Sequence, residues 1–351
     1  MPPRSPSSRL PVTPAPARLP SPPTLRSLKR LVNGVSQTIN LPATGDPSPA
    51  ICVVGAALID LISYVPRLPS LGETLHGDDF RMGFGGKGAN QAVMAAKLGA
   101  RVSMVTKLGR DVFGENMLAN FRSFEIDTTY VTFDDTVSSG VAPIAVDLNG
   151  DNSIIIVTGA NGRMTPDDVE RARPAIAAAD VLICQLEIPH EVTLAALQVA
   201  RDESTFAILN PAPAVRDLPR EAYERADLLC PNESETEVLL GRRIGAGEEL
   251  GAARELHERG PGAVVLTLGE RGCAIVTDDE ERHLPAAPAE VLDTTGAGDA
   301  FVGSLACFLA RGEPLLTAAG RANRIAAISV GRRGTQASFP AAGDLPPGLV
   351  A

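Results

Sequence analysis

The chain has 351 residues, 44% of them apolar and 21% charged, and a formal net charge of −10. That length and composition suit one large α/β domain of about 300 residues with an appendage, and the acidic balance argues against a general nucleic-acid binder. No apolar stretch reaches the length of a membrane span; five dispersed cysteines without a CxxC pair read as buried thiols of a reducing, cytoplasmic compartment, and four histidines without ligand spacing speak against zinc chemistry.

Residues 1–49 stand apart, with twelve of the 29 prolines, six Arg or Lys and a single acid, Asp46. The segment reads as a disordered tail; its basic, serine-bearing, acid-poor makeup gives an organellar transit peptide as the alternative. From Ile51 onward short apolar runs alternate with helical patterns, as in a doubly wound, mostly parallel sheet flanked by helices. The expected strands are 51–57, 102–106, 181–186, 206–209, 227–230 and 264–268, and the expected helices 89–98, 114–124, 166–178, 190–200 and 248–259. Thr165-Pro166 marks a helix start, a capping side chain followed by proline at the first helical position.

Two stretches break the alternation. Residues 59–80 carry Pro66, Pro69 and Gly72 between short extended runs, and 141–157 reads as a hairpin around Asn149-Gly150, a dipeptide suited to a type I′ turn. With flanks reaching 138–158 they predict a small β-sheet inserted at the domain edge, a candidate lid. The domain is expected to span 50–342, leaving 343–351 as a C-terminal tail.

The chemistry concentrates in Asp293-Thr294-Thr295-Gly296-Ala297-Gly298-Asp299, which runs into the apolar helical stretch Ala300-Phe301-Val302-Gly303-Ser304-Leu305. Gly296 and Gly298 let backbone amides crowd a ligand, and a helix start offers unpaired N–H groups and a positive dipole end to a phosphoryl group. Asp299 beside such an anion hole can orient a hydroxyl and accept its proton. Gly83-Phe84-Gly85-Gly86-Lys87-Gly88 fits GxGxxG only formally, because Asp78-Asp79-Phe80-Arg81-Met82 precedes it where a buried strand should stand, and Lys87 lacks the following Ser or Thr of a Walker loop. It reads instead as a glycine-rich turn on which a polyol can lie, with Lys87 and Asn90 as polar groups at its mouth.

Asp60 and Glu187 each fall at the end of an apolar strand run, where carboxylates can accept hydrogen bonds from vicinal hydroxyls. Asn232-Glu233-Ser234-Glu235 reads either as a polar helix start or as acids that orient water around a nucleotide-bound magnesium ion. Thr267-Leu268-Gly269-Glu270-Arg271-Gly272 is either a hairpin turn or a nucleotide wall.

Taken in order, Gly85-Gly86-Lys87-Gly88-Ala89-Asn90-Gln91, Asn232-Glu233-Ser234-Glu235, Thr267-Leu268-Gly269 and the run from Asp293 to Asp299 resemble the signatures of the ribokinase group within the phosphofructokinase B-type carbohydrate kinases, over about 51–340. Gly159-Ala160-Asn161 and Cys184-Gln185-Leu186-Glu187 resemble ribokinases more than adenosine kinases or fructokinases. The resemblance implies a ribokinase-like fold and ATP-dependent phosphorylation of D-ribose at O5. Asp60, Gly86, Lys87, Asn90 and Glu187 would surround the sugar with their neighbours Leu58, Ile59, Gly88 and Ala89. Asp299 would be the base, beside an anion hole of Gly296, Ala297 and Gly298. Asn232, Thr267, Leu268, Gly269, Glu270, Arg271, Gly272, Gly298, Asp299 and Asn323 would line the ATP site, with Glu235 near the water shell of Mg2+. Asp293, Thr295, Ser329, Arg332, Gly334 and Ser338 would hold an activating monovalent cation, K+, several through backbone carbonyls. A homodimer through the lid is implied as well. The alternatives are the same chemistry on deoxyribose, another sugar or a nucleoside, and a non-catalytic sugar or nucleotide sensor on the same fold.

Overall fold

Runs such as Ile51-Cys52-Val53-Val54 and Val181-Leu182-Ile183-Cys184 are apolar at every position, as strands covered on both faces must be. The computed structural model describes residues 27–32, 35–40 and 48–350. In chain order, a hairpin of β1 (Ser27–Val32) and β2 (Val35–Asn40) precedes β3 (Ala50–Val54), β4 (Leu58–Tyr64), β5 (Asp79–Gly85), α1 (Lys87–Lys97), β6 (Arg101–Gly109), α2 (Val112–Ser123) and β7 (Asp127–Asp134). Next come β8 (Gly140–Val146), β9 (Asn152–Ile154), α3 (Pro166–Arg171), α4 (Arg173–Ala177), β10 (Val181–Cys184), α5 (His190–Glu203), β11 (Phe206–Leu209) and α6 (Arg220–Arg225). The last part holds β12 (Leu228–Leu229), α7 (Glu233–Leu240), α8 (Glu249–His257), β13 (Ala263–Thr267), β14 (Cys273–Thr277), β15 (Glu281–Leu284), α9 (Ala297–Ala310) and α10 (Leu315–Ser329).

Nine strands form the main sheet in the order β15-β14-β13-β12-β11-β10-β3-β6-β7, and all run in one direction except β14, which pairs antiparallel with both of its neighbours. Strand order reverses beside β3, which opens a crevice at the carboxyl ends of β3 and β10. Apolar side chains fill both faces: α1, α2, α9 and α10 cover one and α3 to α8 the other. Helix α9 lies so close to α1 that a Cβ at Gly303 would stand 2.6 Å from the Gln91 carbonyl oxygen. All five cysteines are buried free thiols, and no helix among the described residues is long and apolar enough to cross a membrane.

The lid is a separate four-stranded sheet in the order β5-β4-β8-β9. Buried Asn161 fastens its base: Oδ1 accepts from Ala57 N (2.9 Å) and Thr106 Oγ1 (3.1 Å), while Nδ2 donates to Ala57 O (2.9 Å) and Thr158 O (3.1 Å).

Several expectations are corrected. A strand, β5, does lead into the glycine-rich turn, but it is an exposed antiparallel lid strand and not a buried parallel one. Asp60 lies inside β4 of the lid, past the end of β3 at Val54. The turn at Asn149-Gly150 is not type I′, since Gly150 alone of the two has positive φ (89°) and its N–H bonds to Asp147 O (3.0 Å). Asp147 Oδ1 also accepts from Asn149 N (2.8 Å), an Asx arrangement that competes with the primed turn. The helix expected over 166–178 breaks at Ala172, because Pro174 has no N–H to continue the ladder. The expected C-terminal tail packs back on the body, with Leu349 in the core. Within the segment expected to be a disordered tail, β1 and β2 pair as a hairpin; the targeting alternative falls largely outside the described residues.

The α1–α9 contact gives a direct test. Gly303→Ala is expected to lower stability by about 1–3 kcal/mol through overpacking against the Gln91 carbonyl, seen as a lower urea midpoint at unchanged slope. A wild-type midpoint would mean that the helices part freely.

Candidate active site

Asp299 lies in the first turn of α9 and is buried. Gly296 supplies the left-handed residue (φ 78°) that starts the helix. Ala297 N is turned to Thr294 O (3.2 Å), which commits that amide within the turn. A Cβ at Gly298 would meet nothing within 4 Å, so this stretch of backbone opens on free space. Two side chains from α1 converge on the carboxylate: Asn90 Nδ2 donates to Oδ2 and Gln91 Nε2 to Oδ1, both at 2.8 Å.

Behind them lies a buried amide network. Gln91 Nε2 also reaches Asn210 Oδ1 (3.0 Å), Gln185 Nε2 donates to Gln91 Oε1 (2.6 Å), and Asn210 Nδ2 is anchored on Cys230 O (2.8 Å). Gln336 Nε2 donates to Asn90 Oδ1 (3.0 Å). Reading the sequence singled out none of Gln91, Gln185, Asn210 or Gln336 as site residues. The available signal was amide side chains adjoining motif residues or following apolar strands, where a buried carboxylate needs donors.

Beside Asp299 the structure gathers Asp60, Lys87 and Glu187. Lys87 N, at the start of α1, donates to Glu187 Oε2 (2.8 Å), so Glu187 serves as a cap from the loop after β10, which ends at Cys184, short of the expected 186. The Asp60 carboxylate stands where a Cβ on Gly85 would collide with it, which explains that glycine. Burial first, and then the field of Asp299, push Asp60 up to about 6. Burial likewise raises Glu187 to about 6, against the lowering effects of the Lys87 charge and N–H and with help from Asp299 and Asp60. For Lys87, burial favours the neutral amine, but Asp299, Glu187 and Glu235 outweigh it and the ammonium is held above its ordinary value. Gly86 needs its positive φ (86°) and its bare Cα, since a Cβ would lie 2.7 Å from Leu58 N; Gly88 and Ala89 are buried behind the turn. Leu58 and Ile59 are buried apolar residues that carry Asp60, and Ile59 packs in the main core.

On the other side of Asp299 opens a cleft of about 1110 Å³. Of the expected nucleotide residues, Asn232, Thr267, Leu268, Gly269, Glu270, Gly272, Gly298 and Asn323 line it. Sequence reading missed its apolar walls, including Ala286, Pro288, Val291, Phe301 and Ala326, which carry no polar motif. Arg271 is turned away to ion pairs with Glu233 (2.6 Å) and Glu249. Residues 267–272 form the hairpin turn between β13 and β14, and all of them but Arg271 line the cleft. Asn232 and Glu235 form a reciprocal cap at the start of α7, with Asn232 Oδ1 accepting from Glu235 N and Glu235 Oε2 from Asn232 N, each at 2.8 Å. Burial raises the Glu235 pKa.

Asp293 bridges two loops, with Oδ1 accepting from Thr295 N (2.9 Å) and Oδ2 from Gly334 N (2.8 Å). Burial opposes ionisation there, but these bonds prevail and its pKa is lowered. Ser329 and Ser338 are buried and donate their hydroxyl protons to Ala326 O (2.8 Å) and Thr335 O (2.7 Å). The Arg332 side chain points away, 3.9 Å from Asp344.

A buried carboxylate set beside a helix start whose amides face open space is the arrangement that phosphoryl transfer to a hydroxyl needs, so the site is that of a phosphotransferase. The family model described as pfkB family carbohydrate kinase matches residues 48–342, and the chain belongs to that family. It is 45% identical over 307 residues to a mouse (Mus musculus) ribokinase, covering 85% of this chain and 94% of that one. It is 41% identical to a deoxyribokinase of Salmonella typhi, covering 83% and 95%. Among solved structures, Arabidopsis thaliana ribokinase complexed with ribose and ATP superposes with a TM-score of 0.77 at 30% identity, covering 85% of this chain and 97% of that one.

The raised carboxylates predict a pH signature. A carboxyl whose folded value lies above its unfolded value binds its proton more tightly when folded, so its contribution to stability is present below about pH 4 and is lost as pH rises to about 6. Asp60→Asn should therefore melt above the wild type at pH 7.5 in the absence of ligand, with the gap closing toward pH 4.5. A gap independent of pH would remove Asp60 from this account.

Proposed function

We propose that the chain is an ATP-dependent ribokinase that transfers the γ-phosphoryl group to O5 of D-ribose. The observation that carries this reading is the position of Asp299, at the meeting of the charged pocket and the cleft and held by Asn90 and Gln91 at 2.8 Å. The sugar lies on the Gly86 to Asn90 turn, and its hydroxyls donate to Asp60 and Glu187, which relieves their crowding. Asp299 accepts the proton of the 5-hydroxyl as that oxygen attacks in line. Backbone N–H groups at Gly298 and Asp299, at the positive end of α9, receive the charge that develops on the transferring group. The nucleotide occupies the cleft between Thr267–Gly272 and Asn323. The relatives named above support ribose as acceptor, with deoxyribose as the runner-up because of the 41% identity to a deoxyribokinase.

Two cations belong to this reading. Glu235 is half-buried beside Lys87 and Asp299, and its raised pKa marks a carboxylate that gains from a nearby cation. It would hold waters around Mg2+, which when bound neutralises charge on the nucleotide phosphates. The donors around Asp293 and Thr295 are one carboxylate, hydroxyls and carbonyls. Ser329 and Ser338 spend their protons elsewhere and keep oxygen lone pairs free, an all-oxygen set that suits a hard cation such as K+. Arg332 and Gly334 would contribute only backbone.

The lid supports a homodimer: Phe80, Met82, Ile154, Ile155 and Ile156 stand exposed on it, an apolar surface suited to a second copy. Size-exclusion chromatography with light scattering should give twice the chain mass, and Ile155→Asp with Phe80→Asp should give a single chain; a monomeric wild type at micromolar concentration refutes the dimer.

The activity is tested by coupled ADP-release assays on D-ribose, deoxyribose, ketohexoses and nucleosides, with and without K+. Ribose should give the highest kcat/KM, and Asp299→Asn should lose about 10²–10⁴-fold in kcat while still binding sugar and nucleotide by calorimetry. Near-normal turnover in that variant would refute Asp299 as the base.

A further inference from the structure

The proposed mechanism uses Asn90 and Asp299 but not the two side chains that stand behind them. Asn120 Nδ2, on α2, donates to Gln336 Oε1 (2.9 Å); Gln336 Nε2 donates to Asn90 Oδ1 (3.0 Å); Asn90 Nδ2 donates to Asp299 Oδ2 (2.8 Å). Gln336 and Asn90 are buried, at 6% and 5% exposure, so no bulk water competes for these bonds. The backbone of Gln336 is tied down separately, its carbonyl accepting from Lys97 Nζ (2.7 Å).

The row has a direction. A carboxylate only accepts, so Asp299 requires Asn90 to turn its NH2 group forward. The Asn90 oxygen then faces back and needs a donor, which Gln336 provides, and the Gln336 oxygen is met in turn by Asn120. An amide turned end for end keeps its shape, so sterics alone do not hold Asn90 in its productive sense. Reversed, Asn90 would set its oxygen against Asp299 Oδ2 and trade a charge-assisted hydrogen bond for repulsion. It would also lose the second N–H it can offer to a substrate hydroxyl.

We propose that Gln336 and Asn120 are positioning residues for the phosphoryl transfer, a one-way row of amides that holds the Asn90 side chain with its NH2 toward Asp299 and the acceptor sugar. This rests on the reading of Asp299 as base and Asn90 as sugar contact. It also gives the loop 334–338 a physical connection to the reacting hydroxyl, since Gln336 sits between Gly334, bonded to Asp293, and Ser338.

The test separates direction from mere contact. Gln336→Glu keeps the length of the side chain and an oxygen for Asn120, but it offers Asn90 no N–H and draws the Asn90 NH2 backward. Asn120→Asp, at a half-buried site outside the binding machinery, reverses the row from its far end, whereas Asn120→Leu only deletes the last donor. In a ribose and ATP assay, kcat/KM for ribose should fall about tenfold or more in Gln336→Glu and Asn120→Asp, with KM for ATP unchanged. Asn120→Leu, which removes the last donor without reversing the row, should lose less, about threefold. Calorimetry should show ribose affinity falling in the same order, with melting temperatures close to wild type. Wild-type kcat/KM for ribose in Gln336→Glu overturns the row, as does an equal loss in Asn120→Leu and Asn120→Asp that tracks melting temperature. If Gln336→Glu does not fold, the Asn120 pair decides alone. A wild type inactive on ribose refutes the proposed activity and the row with it, whereas an active wild type with indifferent variants refutes the row only.

Discussion

The structure depends on keeping one carboxylate, Asp299, buried and aimed. A buried charge is costly unless hydrogen bonds replace its lost water, and here the replacements come from Asn90 and Gln91 on α1, which reach across to the first turn of α9. Those helices lie some 200 residues apart in sequence, as the separations of 209 and 208 positions show. Their contact therefore has to be built. Small residues do it: Gly303 on α9 and Ala92 and Ala95 on α1 are fully buried, and the backbones approach until the Gln91 carbonyl fills the space a Cβ at Gly303 would need. The packing that holds the sheet covered is the same packing that delivers two donors to the base.

Around that carboxylate the fold accepts electrostatic strain. Asp60, Glu187 and Glu235 are all raised by burial, and each also feels Asp299, while Lys87 is the cation that faces this group. Such crowding gains nothing for the empty chain, as raised carboxylates oppose folding at neutral pH. It makes sense for a pocket whose ligand brings hydroxyl donors and whose chemistry needs acceptors in fixed places. The neighbouring cleft is mixed in character, with alanines, Pro288, Val291 and Phe301 along one part of its wall and Asn232, Glu233, Thr267 and Asn323 along another. Asp299 and Gly298 mark the border between the two environments.

Much of this was legible in sequence, and the limits are physical. The parallel strands announce themselves as wholly apolar runs, because both faces are covered. The Gly296 to Asp299 motif is legible because glycine is the residue that most readily takes the φ of 78° found at the helix start. The lid was recognisable from its broken alternation, yet Asp60 was assigned to the end of the first strand, since nothing local says that Gly55-Ala56-Ala57 ends one sheet and Leu58 begins another. Arg271 sits inside the right loop, but its side chain follows the nearest acids, Glu233 and Glu249. Gln91, Gln185, Asn210 and Gln336 escaped for a different reason. An amide beside a motif carries only a weak signal, and its partner appears only when segments far apart in the chain are brought within 3 Å.

The same long-range logic fixes the lid. Asn161 bonds both backbone groups of Ala57, where the chain enters the lid, and Thr158 O, where it leaves. Gly140 lies against it with no room for a side chain, since a Cβ there would stand 2.6 Å from Asn161 Nδ2. One buried amide thus joins the entry and exit of the lid to the end of β6 through Thr106. Leu58 and Ile59, just past this knot, are buried, and Ile59 packs in the main core. Asp60, the next residue along, stands where the buried start of β4 gives way to its half-buried length. Asp60 is therefore placed by the same knot that ties both ends of the small sheet to the body of the domain.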